Sequence, residues 1–205
     1  MQEALRSSYA SPSYNYTGVG EAGGTFLLTR LLASKGLNLV FKRSTAFTWE
    51  DLSNHNAIFL GSPKFNPRLK EIPYEQDFVI EGGSLHSLRP QPGEPTEFPE
   101  LWTPDHAAIL EDYALVRRLP GLHGRGVITV LAASSTEGTW AATEYVTNPT
   151  YARELVGRVA APNGRLPDAY QIVVRAKIKG GVPIGVSYVI HRALSPKPFR
   201  TDHQK

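Results

Sequence analysis

The sequence predicts an α/β protein: a three-layer, Rossmann- or flavodoxin-like fold with a mixed sheet and a C-terminal β-hairpin. Three observations carry that expectation. Helix-period and strand-like apolar segments alternate through the first third of the chain, the order that builds parallel strands with helical crossovers. The unbroken apolar run Val127–Ala133 reads as a central strand. Near the end, two strand-like runs flank Gly180-Gly181, a pair suited to a tight hairpin turn.

The elements follow in order. Residues 1–14 read as an irregular lead-in, 15–194 as one α/β domain and 195–205 as a tail. Ala22, Phe26, Leu27, Leu28, Leu31 and Leu32 recur at helical spacing, so 21–35 reads as a helix with one buried stripe, ended by Gly36 in a left-handed turn. "LNLVFKRS" (37–44) reads as a strand, and "TWEDLSN" as a short helix capped by Thr48 and Asp51. "AIFLGSP" (57–63) reads as a buried strand stopped by Gly61 and Pro63, and "DFVIEGG" (77–83) as another strand. The proline-rich stretch 89–104 reads as an ordered surface excursion in which Phe98, Leu101 and Trp102 find something to bury. "DYALVRRLPG" and "HGRGVITVLAASS" make two antiparallel strands around a glycine-bearing loop. "GTWAATEYVT" is a helix, and Asn148-Pro149 supplies the cap and first position of the next, "PTYARELVGRVA". In "QIVVRAKIK", Ile172, Val174, Ala176 and Ile178 face one side and Arg175, Lys177 and Lys179 the other. That basic row reads as a guard on a sheet edge.

Composition narrows the function classes. With no cysteine among 205 residues, disulfides, thiolate metal sites and cysteine nucleophiles are excluded. No apolar run approaches the ~18 residues of a membrane span, and residues 1–17 lack the pattern of a secretory signal. A soluble setting, with the cytoplasm favoured, is the expectation. Residues 101–205 carry 13 Lys/Arg against 8 Asp/Glu, an excess too small to indicate nucleic acid without a clustered patch. Six scattered histidines show no metal-ligand spacing. Asp105-His106 and Glu111-Asp112 read more simply as solvated loop residues than as catalytic pairs. Ser134 and Ser135 follow a central strand, but "LAASSTEG" lacks the G-x-S-x-G elbow of an α/β hydrolase. No catalytic residue is nominated.

Gly18, Gly20 and Gly23 have the G-x-G-x-x-G spacing of a dinucleotide-binding turn. Such glycines let a pyrophosphate approach the free N–H groups of the following helix. Glu21 would repel it, and no acidic residue ends the next strand to hold a ribose hydroxyl. Lys42 and Arg43 stand there instead, so the only dinucleotide version is an NADP site. The simpler use of these glycines is close packing of a helix.

Position gives a broader argument. Ligands of open α/β sheets bind beyond the carboxyl ends of the strands. Three polar turns should meet there: Gly18–Glu21 with Gly20, a turn of Gly61, Ser62, Lys64 and Asn66, and a turn of Ser135, Thr136 and Thr139 followed by Trp140. The third opens a helix and so favours an anion or a carbonyl oxygen, although Ser135 or Thr136 could equally be the cap of that helix.

"GVGEAGGTFLLTRLL", "NAIFLGSPKFN", "PQPGEPTEF", "EDYALVRRLPG" and "GTWAATEYVT" together resemble an uncharacterised bacterial α/β domain. That domain occurs in regulator-type proteins, often behind a winged-helix DNA-binding module or a membrane-proximal segment. The resemblance implies a C-terminal sensing or regulatory domain with no established activity, associated with a separate DNA-binding module. No DNA-binding helix pair precedes residue 14, so direct nucleic-acid binding is not expected.

The expectation is therefore a small-molecule-binding regulatory domain, without a cofactor and without catalysis, with its site at the three turns. The alternatives are an NADP-dependent oxidoreductase and a protein-interaction domain using 89–104.

Overall fold

A computed structural model describes residues 17–195. The expected lead-in, the residues just before Thr17 and the tail from 196 onward lie outside them. The helices are α1 (Val19–Ala33), α2 (Trp49–Asn54), α3 (Thr136–Thr147) and α4 (Pro149–Val159). The strands are β1 (Ala57–Leu60), β2 (Phe78–Glu81), β3 (Ser84–Ser87), β4 (Glu97–Phe98), β5 (Leu101–Trp102), β6 (Ile109–Pro120), β7 (Val127–Ala133), β8 (Tyr170–Lys179) and β9 (Val182–Ala193).

The larger sheet is mixed and runs β1-β7-β6-β8-β9, with β5 also on β6. Among the described residues only β1 and β7 pair in parallel, and every other pair is antiparallel. The C-terminal hairpin is present as expected. β8 and β9 join at Gly180 and Gly181, both at positive φ (61° and 74°), the geometry a two-residue hairpin turn requires. β2, β3 and β4 form a separate antiparallel sheet.

Strand alternation explains the layers. On β6, Ala114 and Val116 enter one apolar core with Ala141, Ala142 and Tyr145 of α3 and Leu155 of α4. Leu115 and Leu119 enter the other, with Leu52 of α2, Phe78, Leu85 and Phe98. β8 divides likewise: Ile172, Val174, Ala176 and Ile178 face the helices and Val173 the small sheet. Helices α1, α3 and α4 therefore cover one face. The small sheet and α2 cover the other, where a Rossmann-type expectation places crossover helices. Gln171, fully buried, fastens this second layer. Its Oε1 accepts from the Asp77 and Phe78 N–H groups at 2.7 and 3.0 Å, and its Nε2 donates to the Phe78 carbonyl at 2.7 Å.

The local signals for the helices hold. Thr48 and Asp51 form a reciprocal capping box at α2. Asn148 caps α4 through the Thr150 N–H, with Pro149 at its first position. Helix α1 ends at Ala33, and Gly36 turns at φ 70° while the Leu37 N–H returns to the Leu32 carbonyl.

Five expectations about the fold need correction. The apolar stripe of α1 is not its buried face: Ala22 and Phe26 are exposed, and the buried residues are Gly20 and Gly24, because the glycine face is the one that packs on α3. Residues 37–44 form no strand; they run from Leu37 to Arg43 without turn or bend and enter a short helical turn at Ser44. The reason is topological. α1 lies on the helix face, whereas Phe47 packs edge-on against Phe59 of β1 in the opposite core, with ring centroids 5.1 Å apart. The chain between them has to cross from one face of the sheet to the other, and β1 is the outermost strand of that sheet. β1 itself is thus an edge rather than a buried strand, and Ile58 is 39% exposed. The basic row of β8 guards no edge, because β8 lies between β6 and β9. In the 89–104 excursion Phe98 is buried, but Leu101 and Trp102 stay exposed on β5.

Candidate functional site

The three turns do meet, and Glu21 and Thr136 are where they meet. The Thr136 hydroxyl donates to Glu21 Oε2 at 2.5 Å and accepts the Gly20 N–H at 2.8 Å. Glu21 also reaches β1: a Cβ at Gly61 would lie 3.3 Å from its Oε1. One carboxylate and one hydroxyl therefore join the start of α1, the end of β1 and the start of α3.

That junction uses the glycines in a definite way. A side chain at Gly20 would overlap the Thr136 carbonyl, and one at Gly23 would press on the Trp140 indole at 2.9 Å. At Gly24, buried one helical turn past Gly20, it would lie 2.8 Å from the Thr143 hydroxyl. The glycine face of α1 is seated on α3, so the clearance that could admit a pyrophosphate is occupied by the chain itself. The second dinucleotide element is also altered. Lys42 Nζ lies 2.6 Å from Asp51 Oδ1, and the residues around it belong to no strand.

The remaining turn residues divide between structure and surface. Ser135 is the N-cap of α3 and accepts the Gly138 N–H at 2.9 Å. Thr139 is fully buried, with its hydroxyl on the Ser135 carbonyl. Ser62 and Asn66 are buried in the turn after β1, where the Ser62 carbonyl accepts from both Phe65 and Asn66. Lys64 is exposed, its Nζ 5.4 Å from the Phe65 ring centroid. Trp140 is half-buried against Gly23.

Carboxylates that the turn pattern does not single out gather beside these residues. Asp112 on β6 is buried; its Oδ2 accepts from the Ser135 hydroxyl at 2.5 Å and the Ser135 N–H at 3.1 Å, and its Oδ1 accepts from the Tyr113 N–H. Burial pushes its carboxyl up, those hydrogen bonds oppose the shift, and Glu137 adds to it. Gly138 is required here, since a Cβ would overlap the Asp112 carboxylate. β5 takes the edge of β6 that β7 leaves at Ala133, which brings Glu100 next to the same strand end. Burial raises Glu100 first and Asp112 second, while the Trp102 indole N–H, 2.9 Å from its Oε2, works the other way. Lys64 and Glu137 also act on it. The Ser134 hydroxyl, buried at the end of β7, has no hydrogen-bond partner among the described residues.

Asp112 is thus a buried strand residue and not the solvated loop residue expected of Glu111-Asp112, and sequence pattern held a usable signal for it. In "EDYALVRR" it shares strand parity with Ala114 and Val116, so it had to enter the helix-side core. Glu100 had no such signal, because only the pairing of the two-residue β5 places it. Among the described residues no cluster of three or more His, Asp or Glu is arranged to hold a metal ion. Nor is any helix there long and apolar enough to cross a membrane.

A separate cleft of about 290 Å³ opens on the helix face between α1 and α4. Leu28, Ile58, Leu131, Leu155, Val156 and Tyr170 are among its walls, and none of its lining residues belongs to the three turns. Comparison with known protein families, curated proteins and solved structures finds no match to this chain.

Proposed function

We propose that this chain is a small-molecule-binding domain of regulatory type, with its site at the strand-end junction, and that the ligand presents a cationic group there. The observation that carries the reading is the chemistry around the Ser134 hydroxyl. A buried hydroxyl with no partner among the described residues stands at the end of β7, beside which Asp112 and Glu137 act on the Glu100 carboxyl and Glu137 acts on Asp112. Glu21 adds a fourth carboxylate at the junction, where Lys64 is the one cation among the described residues that acts on Glu100. The start of a helix alone would favour an anion. Four carboxylates reverse that preference, so an amine or guanidinium is the better fit. The regulatory part of the reading rests on the resemblance to domains of regulator-type proteins.

A thermal-shift screen tests it, with diamines, guanidines and amino alcohols set against NADPH and phosphorylated metabolites. A ligand at ~100 times its Kd adds roughly 2.7 kcal/mol, which for a chain of this size moves the midpoint by about 5–10 °C. The expected result is a shift with a cationic compound that Glu100→Gln with Glu137→Gln abolishes. A shift with NADPH that Lys42→Ala with Arg43→Ala removes would instead make the chain an NADP-dependent oxidoreductase. A shift untouched by either pair but lost in Val156→Asp would move the site to the apolar cleft.

A further inference from the structure

Strand parity sends two polar side chains to a face where apolar ones are the rule. Arg118 shares its side of β6 with Ala114 and Val116, and Thr129 shares its side of β7 with Leu131 and Ala133, all four buried in the helix-side core. Strand pairing puts the two polar residues on one rung. Ile58 of β1 lies beside Thr129, Thr129 beside Arg118, and Arg118 beside Tyr170 of β8. All four line the cleft of about 290 Å³ on the helix face. Two residues further along the strands, Leu131 and Val116 give it an apolar floor, with Leu28 of α1 and Leu155 of α4 as walls.

The polar groups of this rung lack partners. Arg158, Arg175 and Arg192 on the adjoining elements each have a carboxylate within 4.0 Å. Arg118 has none among the described residues. Its Nη1 donates to the Asp168 carbonyl at 3.1 Å, which leaves the Nε–Nη2 edge of the guanidinium open. The Thr129 and Tyr170 hydroxyls also make no hydrogen bond among the described residues. Burial pushes the Tyr170 phenol up and the Arg118 charge opposes that shift, so the two side chains are in electrostatic reach of each other. A ligand that pairs the guanidinium and covers the apolar walls gains from both.

Charge and size define that ligand. The open edge of a guanidinium matches a carboxylate in two parallel N–H···O bonds, and one positive charge balances one negative charge. The cleft has about twice the ~150 Å³ that encloses a benzene ring, room for about a dozen heavy atoms. We infer that it binds a small monocarboxylic acid, with the carboxylate on Arg118 and Tyr170 and an apolar body against Leu28, Leu131 and Leu155. Thr129 lies near the start of β7 and the strand-end junction lies beyond its end, so this site is independent of the one proposed above and takes the opposite charge.

The test titrates the full chain calorimetrically with 3-phenylpropionate and octanoate, and with the alcohol and the amine that match each. Amide chemical shifts locate the bound molecule. The expected result is that at least one acid binds and shifts the amides of Thr129, Leu131, Leu155 and Val156. Its alcohol and amine should bind about tenfold more weakly or worse. Arg118→Met keeps the apolar stem and should bring the acid down to the level of the alcohol, with amide shifts outside the cleft unchanged. Arg118→Lys keeps the charge without the fork and should fall between the two. Tyr170→Phe should weaken the acid about threefold or more. Four outcomes overturn the inference: neither acid binds; acid, alcohol and amine bind alike; the acid keeps its full affinity in both Arg118 variants; or the shifts gather at Ser135 and Thr136 instead of the cleft.

Discussion

The Thr136 hydroxyl stands between two groups of α1, donating to the Glu21 carboxylate at 2.5 Å while accepting the Gly20 N–H at 2.8 Å. One side chain from α3 thereby fixes both the height and the rotation of α1. The rest of that contact is glycine: Gly20, Gly23 and Gly24 bring the α1 backbone against Thr136, Trp140 and Thr143. An apolar stripe would hold the helices further apart, and Glu21 could not then reach Gly61.

Gly20→Ala should therefore destabilise the protein by about 2–3 kcal/mol or more, because the new methyl meets backbone rather than a movable side chain. In a thermal melt that is a fall of about 4–10 °C. Gly157→Ala is the matched comparison. It lies in α4 with nothing near its would-be Cβ and should gain about 0.5–1 kcal/mol. If both variants melted at the same temperature, the close seating of α1 on α3 would be refuted.

Thr136→Val keeps the shape and removes the hydroxyl. It leaves the Gly20 N–H and the Glu21 carboxylate without this partner, at a cost of about 1–3 kcal/mol in urea unfolding. Thr136→Ser should recover most of that loss. A loss in Thr136→Ser with none in Thr136→Val would show that the methyl, not the hydroxyl, matters.

Gln171→Leu tests how the small sheet is held. Three backbone groups of Asp77 and Phe78 lose their partner in a buried place, so the expected cost is about 3 kcal/mol or more. The amides of β2 should gain exchange faster than those of β6, which keeps both of its strand neighbours. A uniform rise across both sheets would argue against Gln171 as the fastening between layers.

Opposite shifts should shape stability against pH. Burial raises the Glu100 and Asp112 carboxyls in the folded state. Their contribution is full below the unfolded carboxylate range of ~4 and is lost as pH rises through the folded values. Asp51 runs the other way: its hydrogen bond from Lys42 and those from Thr48 hold it at about 2. What it contributes is present above ~4 and is lost as pH falls towards 2. In urea titrations from pH 2 to 8, Glu100→Gln should flatten the upper limb and Asp51→Asn the lower. An effect of either variant confined to the other limb would contradict these assignments.

What the sequence determined by itself is mostly local. Thr48 with Asp51, Asn148 with Pro149, and Gly36 act through neighbours a few residues away, so their capping chemistry can be read from spacing. The β8–β9 hairpin is local for the same reason, and the alternation along β8 gave its buried face. The meeting of the three turns was also legible, because parallel β1 and β7 bring their carboxyl ends to one edge. Three things were decided only in three dimensions. Segment 37–43 has the pattern of a strand, but α1 and Phe47 lie on opposite faces and the linking chain has to cross from one to the other. Gly18-x-Gly20-x-x-Gly23 has the spacing of a phosphate turn, but α3 fills its clearance, and a helix 116 residues away leaves no mark on local spacing. Glu100 reaches the junction through a two-residue strand whose pairing no periodicity could show. Local hydrogen bonds and side-chain period are written along the chain, whereas the occupant of a gap between elements is set by packing of the whole.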